Sequence, residues 1–180
     1  MQDKQFSGTA DRLRSPERIS LMEIARVVAL SLENKPIHTM LDVGTGTAVF
    51  AEAFARLGLD VSGVDSNPEF LEIARSYLPI SDFQLACADE LPFPDKHFDL
   101  VFLGHVLHET VDPISVLTEA KRVARERIAI LEWPYYEEKQ GPPLAHRLSP
   151  EKVALFAEQI GFSSFEHISL AHMDLYLLNP

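Results

Sequence analysis

Met40-Leu41-Asp42-Val43-Gly44-Thr45-Gly46-Thr47-Ala48-Val49-Phe50 decides the fold of this chain. A short apolar run stops at Val43, two glycines follow, and apolar residues at helical spacing (Phe50, Phe54, Leu57) begin at once. This is the pattern of a strand, a tight turn and a helix opening an α/β sheet. Glycines at such a turn let the backbone bend sharply and approach a ligand, and the free N–H groups at the start of the next helix favour an anionic group.

The spacing narrows the choice of ligand. A dinucleotide fingerprint would carry a third glycine where this chain has Val49, whose side chain crowds the helix–strand contact. Asp42, two residues before Gly44, would repel a diphosphate and suits an ammonium or sulfonium charge instead. An NAD-dependent oxidoreductase is therefore disfavoured.

Downstream, polar groups recur at strand ends. Asp60 to Asp65 reads as a second strand, and Asn67 and Pro68 cap and open a helix with Phe70, Ile73, Ala74 and Tyr77 on one face. A carboxylate about 20 residues past the glycine turn, here Asp65, is placed to accept hydrogen bonds from ribose hydroxyls. A third strand, Asp82 to Ala86, leads into Cys87-Ala88-Asp89-Glu90, where Asp89 is positioned to accept the exocyclic amine of adenine. A fourth, Leu100 to Leu103, runs into Gly104-His105-Val106-Leu107-His108-Glu109 beside the switch point of a doubly wound sheet. The histidines there lack the spacing of a zinc-protease helix and have no sulfur ligand nearby, so no metal is expected.

Leu41 to Ala48 resembles the first motif of class I S-adenosylmethionine (SAM) dependent methyltransferases, an acidic residue followed by Gly-x-Gly-x-Gly, with Ala48 in the third glycine position. Asp89-Glu90-Leu91-Pro92-Phe93-Pro94-Asp95-Lys96-His97-Phe98-Asp99-Leu100-Val101 resembles the acidic, Pro-Phe segment and following strand of the ubiquinone-biosynthesis-like, type 11 group of small-molecule methyltransferases. The resemblance implies a Rossmann-like α/β fold: a doubly wound seven-stranded sheet of order 3-2-1-4-5-7-6, strand 7 antiparallel, helices on both faces. It implies SAM as cofactor and S-adenosylhomocysteine (SAH) as product, held by Asp42, Gly44, Thr45, Gly46, Asp65, Ser66, Asn67, Ala88, Asp89, Glu90, Gly104 and His105. It places His105 near the reaction centre.

A loop of 15 residues, Pro134 to Leu148, follows a fifth strand, Ile128 to Trp133; a connection of that length is usually functional. Its segment Gly141 to Glu151 resembles one that borders the acceptor pocket in a subset of small methyltransferases, which would bring Tyr135, His146 and Arg147 toward the acceptor with Glu132 and Trp133 below. The other reading is a rigid connector fixed by His146 and Arg147. An oxygen or nitrogen acceptor must lose a proton, and His105 and His146 are the candidate general bases because imidazole titrates near neutrality.

Ahead of the sheet, Ser15-Pro16 starts a helix in which Ile19, Met22, Ala25, Val28 or Ala29, and Leu32 keep helical spacing; Arg14 and Arg18 are solvated residues or, as the resemblance implies, face substrate. At the other end, Ser149-Pro150 opens a helix that stops at Gly161, and strands Ser164 to Leu170 and Asp174 to Leu178 form a hairpin. One domain is expected over residues 1–180, with 1–39 a helical segment and lid and 40–180 the sheet core.

The net charge of −11 repels nucleic acid and anionic membrane. One cysteine, Cys87, excludes an internal disulfide framework and fits a cytoplasmic setting. No membrane span or signal peptide is expected. The partner implied is a small-molecule methyl acceptor of unspecified identity; a homodimer is left open. The alternative function is a catalytically silent SAM/SAH sensor or partner subunit of the same fold.

Overall fold

The computed structural model describes residues 9–180; the polar lead around Lys4 and Phe6 lies outside them. Seven strands, β1 (Thr39–Val43), β2 (Asp60–Asp65), β3 (Asp82–Leu85), β4 (Phe98–Gly104), β5 (Ala124–Glu132), β6 (Ser164–Ser169) and β7 (Asp174–Asn179), form one sheet of order β3-β2-β1-β4-β5-β7-β6. The first five are parallel neighbours, and β7 runs antiparallel to both β5 and β6. The expected fold class is observed.

Alternation along the central strands splits the core into two layers. Met40, Leu100, Phe102, Ala129 and Leu131 pack with residues of α3 (Ile24–Leu32), α4 (Val49–Ala55) and α5 (Pro68–Tyr77). Leu41, Val43, Val101, Leu103, Ile128 and Ile130 face α6 (Pro113–Val123) and α7 (Pro150–Ile160) on the other side. Ser15, Asn67, Asp112 and Ser149 each accept a hydrogen bond from a first-turn N–H, and a proline follows each one. Their side chains satisfy donors that the helix leaves open, while proline has no N–H to leave unpaired.

Two expectations are corrected. The N-terminal helix breaks into α2 (Pro16–Leu21) and α3, because Glu23 takes a left-handed backbone (φ 43°). Its carboxylate accepts from the Ala171 N–H (2.7 Å) in the β6–β7 turn, a tertiary contact that local periodicity does not report. The fifth strand begins at Ala124, four residues before the apolar run, and the polar Arg127 within it is buried with its guanidinium donating to the carbonyls of Leu30, Ser31 and Glu33. That arginine satisfies the C-terminal end of α3.

Asp99 ties the start of β1 to β4. Its Oδ2 accepts from the N–H groups of His38 (2.9 Å) and Thr39 (3.0 Å), and its other oxygen pairs with Arg125 at 3.3 Å. Burial opposes its charge, but those N–H groups and the guanidinium hold its pKa below the usual value. Asp99→Ala strands both N–H groups and is expected to cost about 2 kcal/mol, seen as a lower urea midpoint at unchanged m-value.

Candidate active site

The turn after β1 is held from both sides. Gly44, Gly46 and Ala48 all have left-handed backbones (φ 66°, 53° and 63°), so the third glycine position of the motif is strained in this chain by a methyl group. A Cβ on Gly44 would lie 2.6 Å from Val106 Cγ2, which requires glycine there on contact grounds as well. The Thr45 N–H donates to Val64 O (2.9 Å), and Thr45 Oγ1 donates to Asp42 Oδ2 (2.8 Å).

Asp42 is buried beneath this turn. Burial pushes its carboxyl up to about 7 against the hydrogen bonds from Thr45 and the Ala51 N–H, and the charge of Asp65 adds to the rise. A folded-state pKa above the unfolded one means the native chain takes up a proton between about pH 4 and about pH 7, so stability falls as pH rises through that window. Asp42→Asn removes the slope. Its melting temperature should exceed that of the unsubstituted chain at pH 8, and the two should converge near pH 4; a constant offset across this range would contradict the assignment.

At the end of β2, Asp65 Oδ2 accepts from the Gly46 N–H and Oδ1 from the Asn67 N–H, both at 2.8 Å. Burial raises its pKa, opposed by the N–H groups of Asn67, Gly46 and Ser66. One carboxylate therefore joins the glycine turn to the start of α5.

These elements wall a cavity of about 340 Å³, within the size range of small-molecule sites. Of the residues expected at the ligand, Gly44, Gly46, Asp65, Ser66, Asn67, Ala88, Gly104, His105 and Arg18 line it. Asp42 and Thr45 line a smaller adjoining cavity of about 60 Å³, together with Thr47 and again Arg18. Leu13 comes from the end of α1 (Ala10–Leu13) and lines both; its Cδ1 stands 3.2 Å from where a Gly46 Cβ would be. The next residue, Arg14, fastens this segment down, donating to Thr47 O (2.5 and 3.2 Å), pairing with Glu52 (3.2 Å) and lying 3.3 Å over the Tyr77 ring.

Asp89 and Glu90 are exposed and line neither cavity. The third strand stops at Leu85, and the turn closed by the Glu90 N–H on Cys87 O carries both carboxylates outward, leaving Ala86, Cys87 and Ala88 on the wall.

At the end of β4, His105 is buried with a left-handed backbone (φ 62°), its ring tilted against Trp133 at 5.2 Å and its Nε2 3.2 Å from Met173 Sδ. Burial first, then the nearby charges of Arg18 and His108, push its pKa well below the usual value, so the imidazole is neutral. Behind it, His108 Nδ1 meets Glu132 Oε2 at 2.7 Å, and the His108 N–H donates to Glu132 Oε1 (3.3 Å). Burial opposes a charge on His108, yet the Glu132 carboxylate, with Glu109 3.6 Å from Nε2, raises its pKa. Val106, Glu109, Thr110 and Val111, not expected from the sequence as ligand-facing, complete this end of the larger cavity.

Arg147 braces the long loop. Arg147 is buried and donates to the carbonyls of Pro142, Pro134, Tyr136 and Gln140 at 2.7–2.9 Å. Tyr135 is half exposed, and His146 sits in the 3-10 turn Leu144–His146; neither they nor Arg147, Glu132 and Trp133 line the two cavities. No His, Cys, Asp or Glu cluster suited to a metal occurs among the described residues.

A parallel sheet whose strand ends present a glycine turn, a bound carboxylate and a deep cavity defines a class, and the comparisons agree with it. Residues 41–128 match the family described as a methyltransferase domain. Over that segment, just under half of the chain, the sequence is similar to methyltransferase domains, and the solved structures that follow share its fold. A demethylmenaquinone methyltransferase of Thermotoga maritima is 37% identical over 111 residues, 59% of this chain and 48% of that protein. A SAM-dependent methyltransferase from Aquifex aeolicus superimposes with a TM-score of 0.82 at 24% identity, over 94% of this chain and 96% of that one. Human N-acetylserotonin methyltransferase in complex with SAM gives 0.73 at 20% identity, over 94% of this chain and 55% of that one. The chain spans about half the length of the curated relatives it matches.

Proposed function

We propose that this protein transfers a methyl group from SAM to a small-molecule acceptor by in-line displacement, leaving SAH. The observation that carries the reading is the cavity that runs from Asp65 and Asn67 past Gly44 and Gly104 to His105 and Glu109, continuous from a ribose acceptor to polar groups at the far end. Bound SAM supplies a methyl group already activated on a sulfonium, so the residues need chiefly to position and to exclude water.

Asp65 accepts the ribose hydroxyls, with Ser66 and Asn67 beside it. Ala86 to Ala88 flank the adenine, and Asp42 offers its carboxyl to the amino group of the methionine part. The glycines give backbone room. The acceptor enters between the N-terminal helices, which act as a lid over the 40–180 core, and the end of β4. Trp133, just before the loop 134–148 and under its Arg147, packs on His105 and supports this wall from behind. Of the two histidines considered for proton transfer, His105 lines the cavity, and its neutral imidazole keeps one ring nitrogen unprotonated. The reaction leaves the acceptor open to oxygen, nitrogen, carbon or sulfur.

The setting is the cytoplasm. No helix among the described residues is long and apolar enough to cross a membrane. A second reading, a SAM/SAH sensor or partner subunit, draws support from Arg147 being fully engaged by carbonyls of its own loop instead of facing an acceptor. Calorimetric titration with SAM and SAH tests the cofactor site, and SAH release from a panel of small metabolites, quinols included because of the relatives' names, tests transfer. Micromolar binding with turnover establishes the enzyme; binding without turnover favours the sensor; no binding by the folded protein overturns both.

A further inference from the structure

The rings of His105 and His108 lie 6.5 Å apart and have opposite kinds of partner. The His108 Nδ1 meets the buried carboxylate of Glu132 at 2.7 Å, which favours a charged ring. The His105 Nε2 meets the sulfur of Met173 at 3.2 Å. A thioether has no hydrogen to give, so this contact is a hydrogen bond only when Nε2 carries the proton. The sulfur is also uncharged, so it orients the imidazole while leaving its basicity low; a carboxylate there would raise it.

The methionine is itself held in place. It is fully buried in the turn between β6 and β7, its carbonyl accepts from the Leu170 N–H (2.8 Å), and the Ala171 N–H of the same turn donates to Glu23. The histidine is fixed in turn by Trp133 against its ring and by its own N–H, which donates to Leu131 O (2.8 Å). Its ring borders both cavities, and Nδ1 has no hydrogen-bond partner among the described residues. Met173 borders neither cavity. Resting on the methyl-transfer reading above, we propose that Met173 is a positioning residue: it keeps the proton of His105 on Nε2, and so leaves Nδ1 as the lone pair that receives the O–H or N–H of the methyl acceptor. The proton that the acceptor gives up as it gains the methyl goes to Nδ1, and the electron pair of the broken sulfur–carbon bond stays on sulfur. One positive charge leaves the donor as one appears on the ring, so a histidine kept neutral beforehand takes its proton as the sulfonium charge goes.

Nitrogen NMR of protein carrying isotope-labelled histidine reads the tautomer directly, because protonated and bare ring nitrogens resonate far apart. The His105 signals are those missing from His105→Gln. In the unsubstituted protein Nε2 should be protonated and Nδ1 bare. Met173→Leu conserves volume and removes the sulfur. Its two His105 signals should move toward each other, as in a ring that exchanges between tautomers, while those of His108 stay. A proton on Nδ1 in the unsubstituted protein overturns the proposal, as do His105 signals that Met173→Leu leaves in place; movement of the His108 signals by as much overturns it as a general disturbance of the site. With an acceptor from the metabolite panel, Met173→Leu should lower kcat several-fold at unchanged SAH affinity, less than the roughly 100-fold or more that loss of a general base costs. Unchanged kcat removes the tautomer from the transfer step. Failure of the unsubstituted protein to bind SAH removes methyl transfer itself and leaves the tautomer spectra as they are, so the two failures are told apart.

Discussion

Asp65→Ala is expected to weaken SAH by at least about 100-fold, because two ribose hydrogen bonds to a charged acceptor are each worth about 1.5–3 kcal/mol. The loss has a second source. The same carboxylate accepts from the Gly46 and Asn67 N–H groups, so its removal frees the glycine turn from the start of α5 at the moment the ligand needs both in place. Asp65→Asn keeps one acceptor oxygen and should lose less. Calorimetry reads both variants, and melting curves check that they are folded; affinity equal to that of the unsubstituted chain would take Asp65 out of the site.

His108→Ala should be the most damaging of the substitutions for stability. Glu132 is 1% exposed, and the hydrogen bonds to its carboxylate come from the ring and backbone of His108. Deleting the ring leaves a buried carboxylate without its counter-charge, a change that costs about 3–5 kcal/mol. For a chain of this size each kcal/mol lowers the melting temperature by about 2–4 °C, so a drop near 10 °C is expected. Replacing both partners by leucine should recover much of it, since a buried pair is costly to break but adds little net stability. A drop of only a degree or two in the single variant would show that water or a rearranged side chain reaches Glu132.

The sheet was legible because its signals are local. Apolar runs, Ser15-Pro16, Asn67-Pro68 and Ser149-Pro150 caps, and a carboxylate or glycine at successive strand ends each report on a few neighbours in sequence. What escaped depends on distant contacts. Nothing near Glu23 announces that it will take a left-handed backbone to meet Ala171, and nothing near Arg127 announces that it will close the end of α3. The third strand ends at Leu85, one residue short of the expected Ala86, because the turn to Asp89 and Glu90 begins there. Arg147 could be read from its loop either as a ligand group or as a brace, and only the geometry of four carbonyls around it distinguishes them.

Arg14 grips the Thr47 carbonyl, Glu52 and the Tyr77 ring at once, so the segment carrying Leu13 and Arg18 is pinned across the top of the cavity. Displacing that segment would part all three contacts together. Added salt weakens the Glu52 pair, so the hold on this segment should loosen as ionic strength rises.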